Sequence, residues 1–130
     1  MFRKDLQSSV LACTALSSFA GNDSYTVTQG GMNQAANTDY KKADAQLNEV
    51  YRQVLKKLEA SEQAALKAAQ NAWIHFRDLD CQFQSAGSQG GSIHSMVVSG
   101  CLTDKTQARI NELKMLLQCQ EGDVSCVTAP

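Results

Sequence analysis

The residues of this 130-residue sequence that could do chemistry are, first, its five cysteines. Cys13 lies in a segment that we expect to be removed, which leaves an even set of four with three possible pairings. The compact pairing joins Cys81 to Cys101 and Cys119 to Cys126, because each pair brackets a short loop rich in glycine or polar residues. By loop-closure entropy these bonds would contribute roughly 3 and roughly 2.5 kcal/mol, and they favour an oxidising compartment.

Zinc is the competing interpretation of the cysteines, because thiolates and imidazoles together form structural zinc sites. The sequence contains no C-x-x-C pair, and His75 and His94 do not lie at ligand spacing from the cysteines. Disulfides are therefore favoured over a metal site, and nothing in the sequence indicates another cofactor.

The sequence also contains few groups that are suited to catalysis. Asp78 and Asp80 are two positions apart, so on a helix they diverge and do not form an acid/base pair. The glycine-rich segment 85–92 lacks the lysine-hydroxyl ending of a phosphate-binding loop and follows no predicted strand. The two histidines have no paired nucleophile. Since no set of residues supplies a nucleophile, a base and an orienting group, we predict that the protein is not an enzyme.

The stretch 70–81 is instead predicted to serve the architecture. On a helical period Gln70, Trp73, Arg77 and Cys81 share one face, which is apolar, ionic and open to cross-linking at once. Trp73 is expected to fill the core. Arg77 is expected to pair with a carboxylate, for which Asp80 and Glu112 are candidates, or with a helix C-terminus. The predicted structural core comprises Tyr51, Trp73, Arg77 and Arg109.

Two helices are predicted before the glycine-rich segment. Residues 47–58 follow an amphipathic template behind an N-cap at Thr38, and residues 21–38 read as a flexible lead-in. Ser61 is expected to cap the second helix, whose alanines would let another helix approach closely. Its predicted apolar face comprises Leu66, Ala69, Trp73, Phe76 and Phe83. Because only a short connection separates these helices, we expect an antiparallel hairpin.

After the glycine-rich segment, a short helical turn is predicted over 93–102 and a last helix from Thr103 or Asp104. Residues 119–130 are predicted to form a disulfide-closed tail with its turn at Gly122-Asp123. The predicted fold is therefore all-α. It is a small bundle of three main helices with an antiparallel helical hairpin, stapled by disulfides, over residues 39–118.

Charge and the N-terminal residues limit the setting in which the protein works. The formal net charge of -1 argues against nucleic-acid binding. Residues 1–20 are interpreted as an export signal, too short and polar to span a membrane, so we expect a periplasmic or secreted protein. A lipoprotein box ending at Cys13 is a less favoured interpretation because the apolar run before it is short. A disordered extension is a third interpretation.

Several short patterns together resemble one known family. They are L-N-x-x-Y at 47–51, L-x-x-x-Q-x-x-W-x-x-x-R-D-x-x-C at 66–81, G-S-I at 91–93, C-L at 101–102 and T-x-x-R-x-x-x-L at 106–113. Over roughly residues 44–117 the chain resembles the LprI-type lysozyme inhibitor family of exported bacterial proteins. It departs from the family pattern in lacking a cysteine pair ahead of the first helix and in having the additional pair Cys119 and Cys126.

The resemblance implies an exported, all-helical, disulfide-stapled domain that binds a protein partner and inhibits a peptidoglycan-cleaving lysozyme. The predicted partner-binding loop is held between a helix end and a disulfide, and comprises Gln89, Gly90, Gly91, Ser92, Ile93 and His94. The alternative functions are a periplasmic immunity protein against an envelope-targeting antibacterial toxin and an interaction protein with another target.

Overall fold

The computed structural model describes residues 28–128, and within that range the chain is helical with no strand. The helices are α1 (Gln29–Leu55), α2 (Ala60–Gln84) and α3 (His94–Leu116), with a single 3-10 turn at Ala86–Ser88 between α2 and α3. This confirms the predicted all-α fold with three main helices.

The helices α1 and α2 form an antiparallel hairpin. Near the connection, Gln63 Nε2 donates a hydrogen bond to the Leu55 carbonyl at 2.9 Å. Farther along, Arg77 of α2 reaches back to Asp44 of α1, so the contacts pair later residues of one helix with earlier residues of the other. The closest backbone packing, however, lies between α1 and α3.

An aliphatic cluster from α1 and α3 forms the core. Its buried members are Leu47, Val50, Val54, Ile110 and Leu113, and partly buried side chains pack around them, namely Tyr51, Leu58, Leu66, Trp73, Leu116 and Leu117. The apolar stripe predicted on the first helix therefore faces the core. Tyr51 lies at the edge of this cluster, half-buried.

The first helix begins ten residues earlier than predicted. Its N-cap is Thr28, whose Oγ1 accepts a hydrogen bond from the Gly31 amide at 3.1 Å, and Thr38 lies inside the helix. The predicted flexible lead-in is therefore wrong for residues 29–38. Residues 21–27 of that lead-in and the predicted export signal at 1–20, with Cys13, lie outside the described residues.

Tertiary contacts explain why this polar stretch is helical despite its lack of apolar periodicity. Asn33 Nδ2 donates to the Ser92 carbonyl at 3.0 Å, and Gln29 Nε2 lies 3.8 Å from the sulfur of Met96. Polar side chains thus fasten the first turns of α1 to the loop before α3 and to the first turn of α3 itself. A search for apolar repeats does not detect such contacts.

The observed starts of α2 and α3 also differ from the predicted ones. Glu59, not Ser61, precedes α2, and its amide donates to the Glu62 side chain at 2.9 Å. The last helix is continuous from His94, so the predicted break before Thr103 is wrong. Gly100 and the neighbouring valines lower helix propensity there, but packing of α1 along α3 outweighs that local preference.

The alanine-rich half of α2 faces solvent, contrary to the predicted close approach of another helix. The exposed residues are Ala64, Ala65, Ala68, Ala69 and Ala72. High helix propensity and small side chains do not by themselves create a contact, and here they support an exposed helix surface. The buried residues of α2 are Gln70, Arg77 and Cys81, which all belong to the mixed face of the stretch 70–81.

Both disulfides of the compact pairing are present. Cys81 is buried and joins α2 to Cys101 of α3, with 5.7 Å between the two Cα atoms. Cys119 and Cys126 close the tail, with 5.8 Å between their Cα atoms. Gly122 supplies the left-handed backbone conformation of the turn, with φ of 87°, as expected at this Gly-Asp pair.

We predict that the two disulfides differ in their contribution to stability. Replacing Cys81 and Cys101 by serine should lower the free energy of unfolding by about 3 kcal/mol, because the bond ties together two helices of the core. Replacing Cys119 and Cys126 by serine should lower it much less, since the tail can detach locally without unfolding the helices. Urea unfolding of the two double variants checks this, and equal losses would contradict it.

Candidate partner-binding surface

The mixed face of α2 centres on the buried side chain of Arg77, which is 5% exposed. Its guanidinium lies between two aromatic rings, with the carbon Cζ 5.4 Å from the ring centroid of Tyr40 and 5.3 Å from that of Trp73. Cation–π attraction strengthens when water is excluded, so this stacking holds α2 against α1.

The polar contacts of Arg77 extend to all three helices. Its Nε donates to Asp78 at 2.9 Å, and its Nη1 lies 3.5 Å from Asp44 of α1 and 3.4 Å from the Thr106 hydroxyl of α3. Burial raises the pKa of the Tyr40 phenol above its ordinary value, although the charge of Arg77 acts in the opposite direction. The phenol therefore stays neutral, and it presents an uncharged ring to the cation.

The predicted carboxylate partners of Arg77 are wrong. Asp80 pairs with Lys105, whose hydrogen bond lowers the pKa of this carboxyl group, and Glu112 pairs with Arg109. On α2, Asp80 is three residues beyond Arg77 and turned toward α3, whereas Asp78 and Asp44 lie within reach of the guanidinium.

Arg109 extends the same cluster along α3. Its Nε donates to the Gln70 side chain at 2.9 Å, and its guanidinium carbon lies 5.9 Å from the Trp73 ring centroid. Trp73 is therefore flanked by two arginines and is only half-buried. These residues hold the helices together and present no pair of groups suited to acid/base or nucleophilic chemistry.

Sequence reasoning missed Tyr40, Asp44 and Thr106 as members of this cluster. A signal was present for the first two, because Tyr40, Asp44, Leu47 and Tyr51 recur at helical spacing on one side of α1. The repeat begins at Tyr40, shortly after the segment that was predicted to be flexible. Thr106 carried no such signal, since a buried threonine cannot be told from an exposed one by spacing.

The loop Gln89–His94 is the predicted partner-binding loop, and it connects the 3-10 turn to α3. Gly90 adopts φ of 87°, a left-handed conformation that glycine takes without strain. The Gly91 amide donates to the Ser88 carbonyl at 3.0 Å, and the His94 amide donates to the Gly91 carbonyl at 3.2 Å. Two consecutive turns therefore order this loop, and Ser92 is fastened to α1 through Asn33.

A side-chain hydrogen bond closes the base of the loop. Ser88 Oγ donates to the Ser85 carbonyl at 2.9 Å and lies 2.9 Å from His94 Nδ1. The Ser88 hydroxyl is therefore engaged by both a backbone carbonyl and an imidazole, and this fixes the base of the loop to the first residue of α3.

A cleft of about 470 Å³ opens beside the loop. Its apolar walls are Leu79, Phe83 and Val98, its polar groups are Gln82, Gln89 and His94, and the buried Ser85 completes the lining. Of the six predicted loop residues, Gln89 and His94 face the cleft, and the four between them are exposed. The structure therefore places the loop and an open cleft side by side.

The cleft depends on side chains that were predicted to be in the core. Phe83 is 78% exposed and Phe76 is 58% exposed, so the prediction that both belong to the apolar core face of α2 is wrong. Gln70, Arg77 and Cys81 occupy the inward face instead, and this turns the two phenylalanines outward. Within residues 28–128, no group of three His, Cys, Asp or Glu side chains is placed to hold a metal ion.

Residues 20–113 match the sequence model of the family described as Lysozyme inhibitor LprI. The chain belongs to this family. An uncharacterized protein from Rhizobium meliloti (strain 1021) is 38% identical over 109 residues, which cover 74% of this chain and 78% of that protein. No solved structure matches the chain significantly.

The family match includes the Arg77 cluster, the loop 89–94 and every residue of the cleft. The disulfide-closed tail lies beyond the matched residues. None of the helices within residues 28–128 is both long and apolar enough to cross a membrane.

We predict that Arg77→Ala lowers the free energy of unfolding by about 2–3 kcal/mol, because two desolvated cation–π contacts and buried packing are lost. Asp44 and Asp78 are half-exposed, so their ion pairs contribute less than a buried pair would. Arg77→Lys should not restore stability, since an ammonium does not stack as a plane between two rings. Chemical unfolding measures both effects.

The matched control for Arg77 is Arg52→Ala, because Arg52 forms an exposed pair with Glu49 on α1. This variant should unfold at nearly the wild-type denaturant concentration. If Arg52→Ala and Arg77→Ala had similar midpoints, Arg77 would not have the role assigned to it.

We predict that Ser88→Ala loosens the loop without unfolding the domain. The variant removes the bonds to Ser85 and His94, so amide hydrogens over 89–94 should exchange faster with solvent, while the melting temperature falls only slightly. Ser95→Ala, an exposed serine in the first turn of α3, is the control. Unchanged exchange in Ser88→Ala, measured by mass spectrometry, would show that this hydroxyl does not order the loop.

Proposed function

We propose that this protein is an exported inhibitor of a peptidoglycan-cleaving lysozyme. The observation that carries the proposal is the match to the lysozyme inhibitor family over residues 20–113, a range that contains the ordered loop 89–94 and its cleft. The exposed loop and the cleft within the described residues support the binding of a protein, in keeping with an inhibitor.

The proposed mechanism is steric occlusion. In a lysozyme, two carboxyl groups of the enzyme flank the glycosidic bond that is cleaved. The polysaccharide chain must enter the cleft between these two groups. A loop bound in or across that entrance stops the reaction without any chemistry of its own. The loop 89–94 contains no carboxylate, lysine or arginine, so it can approach the enzyme's carboxyl groups without placing a like charge against them.

Order within the free loop supports this assignment. Gly90, Gly91 and Ser92 are exposed, yet the backbone hydrogen bonds at Ser88 and Gly91 and the contact with Asn33 restrict their conformations. A loop that is ordered before binding loses less conformational entropy on association than a mobile one. Ile93 adds an exposed apolar side chain, the kind of group that excludes water at the centre of an interface.

An extracytoplasmic location accompanies the proposed function. Both disulfides require an oxidising environment to persist, and the periplasm or the exterior of a bacterial cell provides one. A lysozyme acts on peptidoglycan in the same space. Cleavage of the export signal after about residue 20 remains a prediction, favoured over lipidation at Cys13. Mass spectrometry of the exported protein distinguishes the two products.

The oxidised protein, without residues 1–20, should inhibit cell-wall hydrolysis by at least one lysozyme among c-type, g-type and i-type enzymes. Ile93→Asp should raise the inhibition constant at least about tenfold, because it places an unpaired charge at the centre of the interface. Val124→Asp introduces the same charge at a fully exposed tail position and should leave inhibition unchanged.

Two results would count against this function. If the wild-type protein inhibited none of the three enzyme classes, the lysozyme proposal would fail, and the immunity protein would become the leading alternative. If Val124→Asp weakened inhibition as strongly as Ile93→Asp, the inhibitory surface would not be the loop.

A further inference from the structure

The cleft beside the loop combines features of a pocket for an anchoring side chain. Leu79 is 50% exposed and Phe83 is 78% exposed, so the free protein leaves two large apolar side chains in water at the cleft's edge. Exposed apolar groups that line a concave surface mark sites of interaction more often than scattered surface residues do. Val98 of α3 forms the facing wall, so an inserted group would have apolar contacts on two sides.

The charge of the lining restricts what can enter. No aspartate, glutamate, lysine or arginine lines the cleft. The nearest acidic residue along α2, Asp80, is engaged by Lys105 and by Gln84. His94 is the one lining residue that can carry a charge, and its Nδ1 is already hydrogen-bonded to Ser88. A charged group brought into the cleft would lose water without gaining a permanent counter-charge, which is costly. The lining therefore favours an uncharged occupant.

Polar side chains at the rim of the cleft can form hydrogen bonds with the peptide backbone on either side of an inserted side chain. Gln82 and Gln89 can each donate and accept hydrogen bonds, as a peptide amide requires. A volume of about 470 Å³ accommodates a bulky side chain together with neighbouring peptide groups.

We propose that this cleft receives one uncharged, apolar side chain from a surface loop of the inhibited lysozyme. The inference rests on the proposed function and adds the reciprocal contact, in which loop 89–94 enters the enzyme while a residue of the enzyme enters the inhibitor. Phe83, Leu79 and Val98 hold the inserted side chain, and Gln82 and Gln89 bond to its backbone. A glycan is the competing occupant, but apolar walls on both sides suit a hydrocarbon side chain better than a hydroxyl-rich ring.

The matched pair for testing this inference is Phe83→Ala and Phe76→Ala. Both phenylalanines are exposed on α2, and they lie seven residues apart, about 10 Å along the helix axis. Phe83 lines the cleft, whereas Phe76 lies outside it under Lys105, whose Nζ is 5.5 Å from the ring centroid. Neither ring is in the core, so both variants should fold, and thermal unfolding verifies this.

The inhibition constant is measured against the lysozyme class that the wild-type protein inhibits. Phe83→Ala should raise it at least about tenfold, as expected when a pocket loses its principal wall, and Phe76→Ala should change it less than about twofold. Equal constants for the two variants would overturn the proposed cleft contact and leave the inhibitory function standing. A wild-type protein that inhibits no lysozyme would overturn both.

Binding of N-acetylglucosamine oligosaccharides to the inhibitor alone is measured in parallel by calorimetry. No binding is expected. Sugar binding that Phe83→Ala abolishes would show that the cleft is a glycan site and would overturn the protein contact.

Discussion

The guanidinium of Arg77 is the contact on which the arrangement of the helices depends. It lies between Tyr40 of α1 and Trp73 of its own helix, and it reaches Thr106 of α3, so one side chain touches all three helices. Two of the three buried residues of α2, Gln70 and Arg77, are polar, so apolar burial alone would hold this helix weakly. Cys81, one turn later, fixes the same helix covalently to α3. The end of α2, and with it the loop 89–94, takes its position from these two attachments.

The inward orientation of Gln70, Arg77 and Cys81 on α2 determines which residues of this helix face solvent. Residues on the opposite face must be exposed, and in the second half of α2 these include large apolar side chains. Phe83 and Leu79 thereby become the wall of a cleft next to an ordered, uncharged loop. The interior of α2 thus serves stability, and the proposed partner contacts lie on its exterior. The proposed inhibitory function uses that exterior.

The sequence allowed prediction of the helices' number, the hairpin and both disulfides, because these follow from apolar spacing and from the lengths of the loops between cysteines. It did not predict where α1 and α3 begin, since side-chain hydrogen bonds such as that of Asn33 with Ser92 join residues far apart in the chain. The orientation of Phe83 was also predicted wrongly, because an apolar residue type does not by itself decide which face of a helix is buried. On α2 the buried face is instead set by Arg77 and Cys81, whose partners lie on other helices. The loop was predicted from its glycines and the adjacent disulfide, but the cleft beside it required knowledge of the side chains that α3 contributes.

In the proposed function, the helical frame presents the end of α2, the loop and the start of α3 as one surface for a lysozyme. Hydrogen–deuterium exchange of the oxidised protein, compared with and without the lysozyme that it inhibits, locates this surface. Slowed exchange on complex formation is expected to be concentrated over residues 79–98. Protection confined to the tail at 119–128 or to the alanine-rich half of α2, with residues 79–98 unchanged, would contradict it.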